Sequence, residues 1–434
     1  MHIQKTVRIT WRTLLAMVIV LPIGLLSQSS RQTQADDYTC YELLAPETQS
    51  FLITYDVTAT TAGAEYFYNA IRVGSEPDVH AVYDLMTGTQ LEWKIVDGSA
   101  AQKQGLARAN PEGQYIRIKL ARPVPEGGES RLRIEKTYKD PKSYYLEGDR
   151  LIFSRTLGIK RNSIVLPRGY ELIECNYPSQ IMRTEDERIK MSYMNRGPSG
   201  VPFQVEARLL PKKTEQPESS KAPVTQEARR TASTSRPSPA PRPGARVNYR
   251  ISERAFQDRE IVYFLQPPET HSFRLYHDYT ESRVGMDRYL NVVRAGSKAS
   301  DPSAKILDTG VDLKVETLKG EAISQRRIEI GQPITSETEV VVIWFDPVKE
   351  GSSVRLRIEE TYTDPDRYLL HGGELIWDRS FGRPRNTVIL PEGWQVIENS
   401  IPAVVSETED GKIRLSYVND RQGNIDVFIR ARHR

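Results

Sequence analysis

The sequence predicts an all-β protein built from two tandem, homologous β-sandwich (Ig-like) domains joined by a disordered linker. Three observations carry that expectation. A forty-residue stretch occurs twice, strand-like alternation runs through both copies, and a Pro/Ser/Arg-rich segment separates them. The duplicated stretch is Arg131 to Tyr170, RLRIEKTYKDPKSYYLEGDRLIFSRTLGIKRNSIVLPRGY. It returns as Arg355 to Trp394, RLRIEETYTDPDRYLLHGGELIWDRSFGRPRNTVILPEGW, with about half the positions identical and no gap. Long-period self-similarity means that one unit was copied.

The N-terminus reads as a secretory signal over residues 1–35. Lys5, Arg8 and Arg12 precede the apolar run Leu14–Leu26, whose length suits a signal h-region and is short for a membrane span. Thr33-Gln34-Ala35 forms a small-x-small cleavage site. The expected location is therefore secreted, or periplasmic and cell-envelope. The alternative is tethering by an uncleaved signal anchor. No stable membrane span is expected after cleavage.

The first copy is assigned to 38–210. Phe51–Val57, Tyr115–Leu120, Arg131–Glu135 and Ile189–Tyr193 alternate with the period of half-buried strands. Asp97-Gly98, Pro125–Gly128, Pro167–Gly169 and Arg196–Pro198 interrupt them as turns. No window carries a helical stripe of a dozen residues, so many short strands between turns point to a sandwich or barrel.

Residues 211–252 are read as a disordered linker, since PKKTEQPESSKAPVTQEARRTASTSRPSPAPRPGARV lacks aromatics and buries too little to offset its ordering entropy. The second copy follows over 253–434. Its segments Pro267–Tyr279 and Asn291–Ser297 match Ala45–Val57 and Asn69–Ser75 at an offset of 222. By Pro123 and Pro347 the offset is 224, which predicts one two-residue insertion between Gly88 and Pro123.

The formal net charge of +3 is unevenly spread. Residues 1–35 carry four cations and no acid, and 211–247 carry eight cations against three Glu, which leaves about −6 for the rest. Mildly acidic folded domains argue against a nucleic-acid partner. The two cysteines, Cys40 and Cys175, are both missing from the second copy, where Val262 and Asn399 stand. Their joint absence predicts a Cys40–Cys175 disulfide in an exported chain. Two distant Cys and scattered His supply no metal-ligand spacing, no nucleophile or phosphate motif occurs in a fitting context, and no cofactor is implied. His271 and His277 are read as an edge or surface pair sharing one face.

Polar residues kept in both copies form the candidate site. They are Arg155, Arg161, Asn162 and Tyr170, with Arg379, Arg385, Asn386 and Trp394 as counterparts. Tyr138/Tyr362, Asp140/Asp364, Asn69/Asn291 and Arg72/Arg294 accompany them. One reading is structural: Asp-Pro starts a turn, and Arg155 pairs with Glu135 or Asp140 in the interior. The other is a groove in each domain that binds sugar or carboxylate, with Arg and Asn as donors and Tyr170 or Trp394 as a stacking platform. The expected role is non-catalytic, as a binding or structural module whose partner is a cell-surface polysaccharide or envelope protein. The alternative is a hydrolase acting on glycans or peptides, with an acidic site in each copy.

The openings APETQSFLITYDV (Ala45–Val57) and PPETHSFRLYHDY (Pro267–Tyr279) resemble the start of the N-terminal β domain of glycyl-aminopeptidase-like metalloproteases. That domain carries a Pro-x-x-His stretch there, and Gln49 replaces the His in the first copy. The resemblance implies a related β-sandwich. The catalytic zinc motif of that family is absent from this sequence, so the resemblance does not imply peptidase activity.

Overall fold

In the computed structural model, residues 32–210 and 250–433 are described. Residues 1–31 and 211–249, which contain nearly all of the expected signal and linker, lie outside them. Gln34 and Ala35 of the expected cleavage site already belong to the first strand.

Copy 1 runs through β1 (Gln34–Leu43), β2 (Ser50–Ala59), β3 (Tyr66–Ile71), β4 (Glu76–Asp84), β5 (Trp93–Asp97), α1 (Gly98–Lys103), β6 (Gln114–Lys119), β7 (Ser130–Lys139), β8 (Tyr144–Glu147), β9 (Arg150–Leu157), β10 (Arg161–Val165), β11 (Tyr170–Cys175), β12 (Gln180–Arg183), β13 (Ile189–Met194) and β14 (Val201–Leu209). Copy 2 repeats the order as β15 (Glu260–Leu265), β16 (Ser272–Glu281), β17 (Arg288–Val292), β18 (Lys298–Ile306), β19 (Lys314–Lys319), α2 (Glu321–Gln325), β20 (Glu339–Trp344), β21 (Val354–Thr363), β22 (Tyr368–His371), β23 (Glu374–Phe381), β24 (Arg385–Ile389), β25 (Trp394–Asn399), β26 (Val404–Glu407), β27 (Ile413–Val418) and β28 (Ile425–His433). The protein is all-β and duplicated. The α-helices are short, six and five residues, and α1 starts where Asp97 caps it by accepting from the Ala100 amide at 2.6 Å.

Each copy folds as three sheets. In copy 1 a seven-stranded sheet has the order β12-β13-β10-β1-β2-β7-β4, a four-stranded sheet β11-β14-β9-β8, and a three-stranded sheet β3-β6-β5. Copy 2 has the same three orders in its own strands. The large sheet is mixed, because β1 pairs in parallel with β10, and β15 with β24. Alternation decides which side faces in. Along β2, Phe51, Ile53, Tyr55 and Val57 are buried, and β14 buries Val201, Phe203, Val205 and Ala207 against them. Copy 2 buries Phe273, Trp377, Val427 and Ile429 in the equivalent core.

Strand register corrects the expected single insertion. Asn69 pairs with Ile116, whereas Asn291 pairs with Val341. Beyond the helix, copy 2 has thus gained three residues, and it loses one again before Pro347. The net change of two is an indel in the helix-bearing loop and a second in the turn after β20.

The copies meet through an approximate two-fold arrangement of repeat counterparts. Arg131 donates to Ser353 Oγ at 3.0 Å, while its counterpart Arg355 lies 3.4 Å from Glu129, the counterpart of Ser353. Arg131 also forks onto Asp308 at 2.9 Å through Nε and Nη2. The Glu129 amide donates to Leu307 O at 2.9 Å, and Ser353 Oγ to Leu85 O at 2.9 Å. Ser252–Asp258, the last residue of the expected linker and the first six assigned to copy 2, pack between the copies. Glu253 accepts from Ser192 Oγ at 2.8 Å and pairs with Lys190 at 2.6 Å, and Asp258 pairs with Arg355 at 2.6 Å.

Candidate functional site

Four of the shared residues are scaffold. Asp140 directly follows β7, accepts from Ser143 Oγ at 2.8 Å to close the turn there, and receives Arg155 Nη1 at 2.5 Å. Asp364 receives Arg379 Nη1 at 2.7 Å in the same way. Both pairs are buried. Each guanidinium lies over a core ring, Arg155 at 5.3 Å from the Phe51 centroid and Arg379 at 4.9 Å from Phe273. A buried charge needs such a partner, and the two copies supply it identically.

The remaining candidates do not gather around one ligand. Asn162 and Asn386 donate to the carbonyls three residues back, Ile159 O at 2.7 Å and Arg383 O at 2.8 Å, and so pin the loop before β10 and β24. Arg161 donates to Ala255 O and Phe256 O at 3.1 and 3.0 Å, and Arg385 to Asp258 O at 3.1 Å. These two hold the 252–258 segment. Trp394 is buried against His433, with ring centroids 5.5 Å apart, so it is no open stacking platform. Tyr170 is half-buried on β11 and packs against the core.

Cys40 and Cys175 are not bonded to each other. The reason is the strand period. On β1, Tyr41 and Leu43 enter the main core, which places Cys40 on the opposite face with Tyr38 and Val165. Cys175 packs on the core side, with its Sγ 3.3 Å from Tyr177 O. The two thiols therefore face opposite sides of the large sheet.

Two sites emerge, one that sequence reasoning passed over and one that gathers Asn291, Arg294, Tyr362 and Arg379 from the shared set around a charge it did not single out. The first is a cleft of about 910 Å3 between the copies. Its walls carry forked ion pairs, Arg133 on Asp56 at 2.7 and 2.8 Å and Arg283 on Glu281 at 2.9 and 2.6 Å. They also carry aromatic surface. Phe256 is 53% exposed with its ring 5.4 Å from Tyr38, and Arg259 covers Tyr279 at 4.2 Å.

The second site lies inside each copy, between the large and the three-stranded sheets. Glu360 of β21 is buried and accepts from Asn291 Nδ2 at 2.9 and 2.7 Å. Burial pushes its pKa up to about 7, with the Asn291 and Tyr362 hydrogen bonds opposing the rise. Its counterpart Lys136 of β7 is also buried and donates to Asn69 Oδ1. Burial, helped by the nearby Arg155, brings that amine down to about 7. His277 is buried beside this site rather than displayed at an edge, and burial, reinforced by Arg383, Arg259 and Arg355, holds its pKa well below the usual imidazole value. His271 does not share its face. It takes a left-handed backbone (φ 55°), as Gln49 does (φ 54°), and its Nδ1 lies 2.9 Å from Tyr368 O.

Signals for Glu360 and Lys136 stood in the sequence. Ile358-x-Glu360-x-Tyr362 and Ile134-x-Lys136-x-Tyr138 each place a charge at an inward position of an alternating strand. Nothing comparable marked the cleft.

Among the described residues, no helix is long and apolar enough to cross a membrane, and no cluster of His, Cys, Asp and Glu is placed to hold a metal ion. No protein-family model matches the chain, and no curated protein matches it. Among solved structures it is similar to an M1 zinc metallopeptidase from Deinococcus radiodurans, with 11% identity and a TM-score of 0.28, over 40% of this chain and 41% of that one. It is also similar to yeast LTA4 hydrolase, with 12% identity and a TM-score of 0.27, over 42% of this chain and 30% of that one. An aminopeptidase N family protein from Idiomarina loihiensis matches with 12% identity and a TM-score of 0.25, over 40% and 29%. The weak resemblance read from the two openings, about fifteen residues in each copy, is met here by metallopeptidases at low identity over two-fifths of the chain. Likeness of this depth carries no argument about activity.

Proposed function

We propose that the chain is an exported, non-catalytic binding protein of the cell envelope or extracellular space, and that the cleft between its copies holds a glycan. The observation that supports this reading is the make-up of the cleft walls. Planar, forked Arg–carboxylate pairs (Arg133–Asp56, Arg283–Glu281) sit beside the exposed face of Phe256 and the Arg259-covered ring of Tyr279. Hydroxyl-rich ligands are bound by such planar donors and acceptors, and their apolar faces stack on aromatic rings. The ion pairs are internally compensated, which favours an uncharged sugar over a polyanion. The alternative, a hydrolase with an acidic site in each copy, gains no support from Asp140 and Asp364, because both carboxylates are committed to buried guanidiniums.

The test is a glycan array probed with the full chain. Retention of a defined neutral glycan is expected, with Phe256→Ala lowering the affinity at least about tenfold by removing a stacking face. Failure to retain any glycan, or equal retention by Phe256→Ala and Arg259→Ala, overturns the assignment of the cleft.

A further inference from the structure

The site around Glu360 contains a cavity of about 170 Å3, several times the space one water occupies. Its floor is formed by β16 and β21 and one wall by Tyr289 and Asn291 of β17; exposed Arg294 and half-buried Arg383 mark its mouth, and Arg379 lines it from a buried position. Arg379 is committed to Asp364. The side chains of Arg294 and Arg383 make no hydrogen bond or ion pair among the described residues, and Arg383 Nε is fully buried without a partner. At the base, His277 Nε2 is likewise buried and unpartnered, although Nδ1 lies 3.4 Å from the Tyr289 hydroxyl. Two uncompensated guanidiniums at the mouth of a small cavity constitute a built site for an anion, and the guanidinium fork matches a carboxylate in particular.

Copy 1 provides an internal control. Arg72 and Arg155 keep the places of Arg294 and Arg379, but Ile159 stands at the position of Arg383 and Tyr55 at that of His277. Lys136 spends its amine on Asn69. Only copy 2 has acquired the second free guanidinium and the unpartnered imidazole.

We infer that the copy 2 cavity binds a small free carboxylate, held by Arg294 and Arg383 at its mouth with His277 and Glu360 at its base. This site is separate from the cleft between the copies and stands whether or not the cleft holds a glycan. Binding is linked to Glu360. Asn291 from β17, Glu339 from β20 and Tyr362 from its own strand act on Glu360 directly, and His277 from β16, Arg294 after β17, Arg379 from β23 and Arg383 from the loop after it line the same cavity. A protonated Glu360 leaves the cavity net positive, and an ionised one opposes the ligand. Affinity therefore falls as pH rises from 6 to 8.

Calorimetric titration of the full chain with acetate, propionate and glycine, at constant ionic strength in chloride, tests the inference. Saturable binding of at least one is expected, weaker at pH 8 than at pH 6, and Glu360→Gln flattens that dependence. Arg383→Ile, which installs the residue that copy 1 already tolerates, weakens binding by about tenfold or more. Arg294→Ala, at an exposed position, acts in the same direction, while Phe256→Ala in the cleft leaves it unchanged. Absence of saturable heat from all three probes overturns the site, as does undiminished binding by both arginine variants.

Discussion

The two copies keep the same asparagine and invert the charge beside it. In copy 1, Asn69 offers its amide oxygen to Lys136; in copy 2, Asn291 offers its amide nitrogen to Glu360. An amide carries both a donor and an acceptor, so one residue type serves either charge by presenting its other end. That accounts for an asparagine that survived duplication while its partner changed sign. The Asp–Arg pairs did not diverge: the Asp140 carboxylate also closes the turn that follows the strand by accepting from Ser143, and the Asp364 carboxylate also receives Arg367 of the same turn at 3.5 Å. Scaffold groups with two structural duties stayed fixed, and a buried group with one duty was free to change.

The largest effect expected on this comparison is from breaking what is common. Asp140→Ala and Asp364→Ala each leave a buried guanidinium unpaired, and each should cost about 3–5 kcal/mol. Urea unfolding followed by tryptophan fluorescence measures both. Equal losses support a shared frame; a cost confined to one copy breaks the comparison.

Next in size are opposite pH responses. The pKa of Glu360 is raised in the folded state, so its contribution is fully present below about pH 4.5 and is lost as pH rises through about 7. Lys136 is depressed, so its contribution is present above about pH 10.5 and is lost as pH falls through about 7. Each amounts to a few kcal/mol at most. Urea midpoints between pH 5 and 10 should therefore show a falling component that Glu360→Gln removes and a rising one that Lys136→Met removes. A Glu360→Gln variant with an unchanged profile would place the titration elsewhere.

The smallest expected effect is none. With Cys40 and Cys175 on opposite faces of the large sheet, reducing agent should leave the melting temperature unmoved. A thiol reagent should modify Cys175, the more exposed, ahead of the buried Cys40. A single oxidised species with no free thiol would reverse this.

Much of the fold was legible in the sequence, and for a physical reason. Strand direction and inward phase are local properties, so Phe51-x-Ile53-x-Tyr55 and Arg131-Leu132-Arg133-Ile134 reveal period, burial and duplication without coordinates. The Asp140–Arg155 pair was also within reach, since both ends recur at a fixed spacing in copy 2. The disulfide failed because joint absence of two cysteines says nothing about which face of a sheet each one meets. Trp394 failed as a platform because an aromatic at a strand start is equally suited to closing a core.

By itself, then, the sequence determined the all-β class, the repeated unit and the inward-facing charges at 136 and 360, because these follow from short-range periodicity. Tertiary structure alone decided that Arg131, Asp308, Arg355 and Glu129 would meet across the copies, that Ser252–Asp258 would lie between them, and that Arg294 and Arg383 would converge on one cavity. Those contacts join residues far apart in the chain, and their partners are chosen by how sheets stack, which no local pattern encodes.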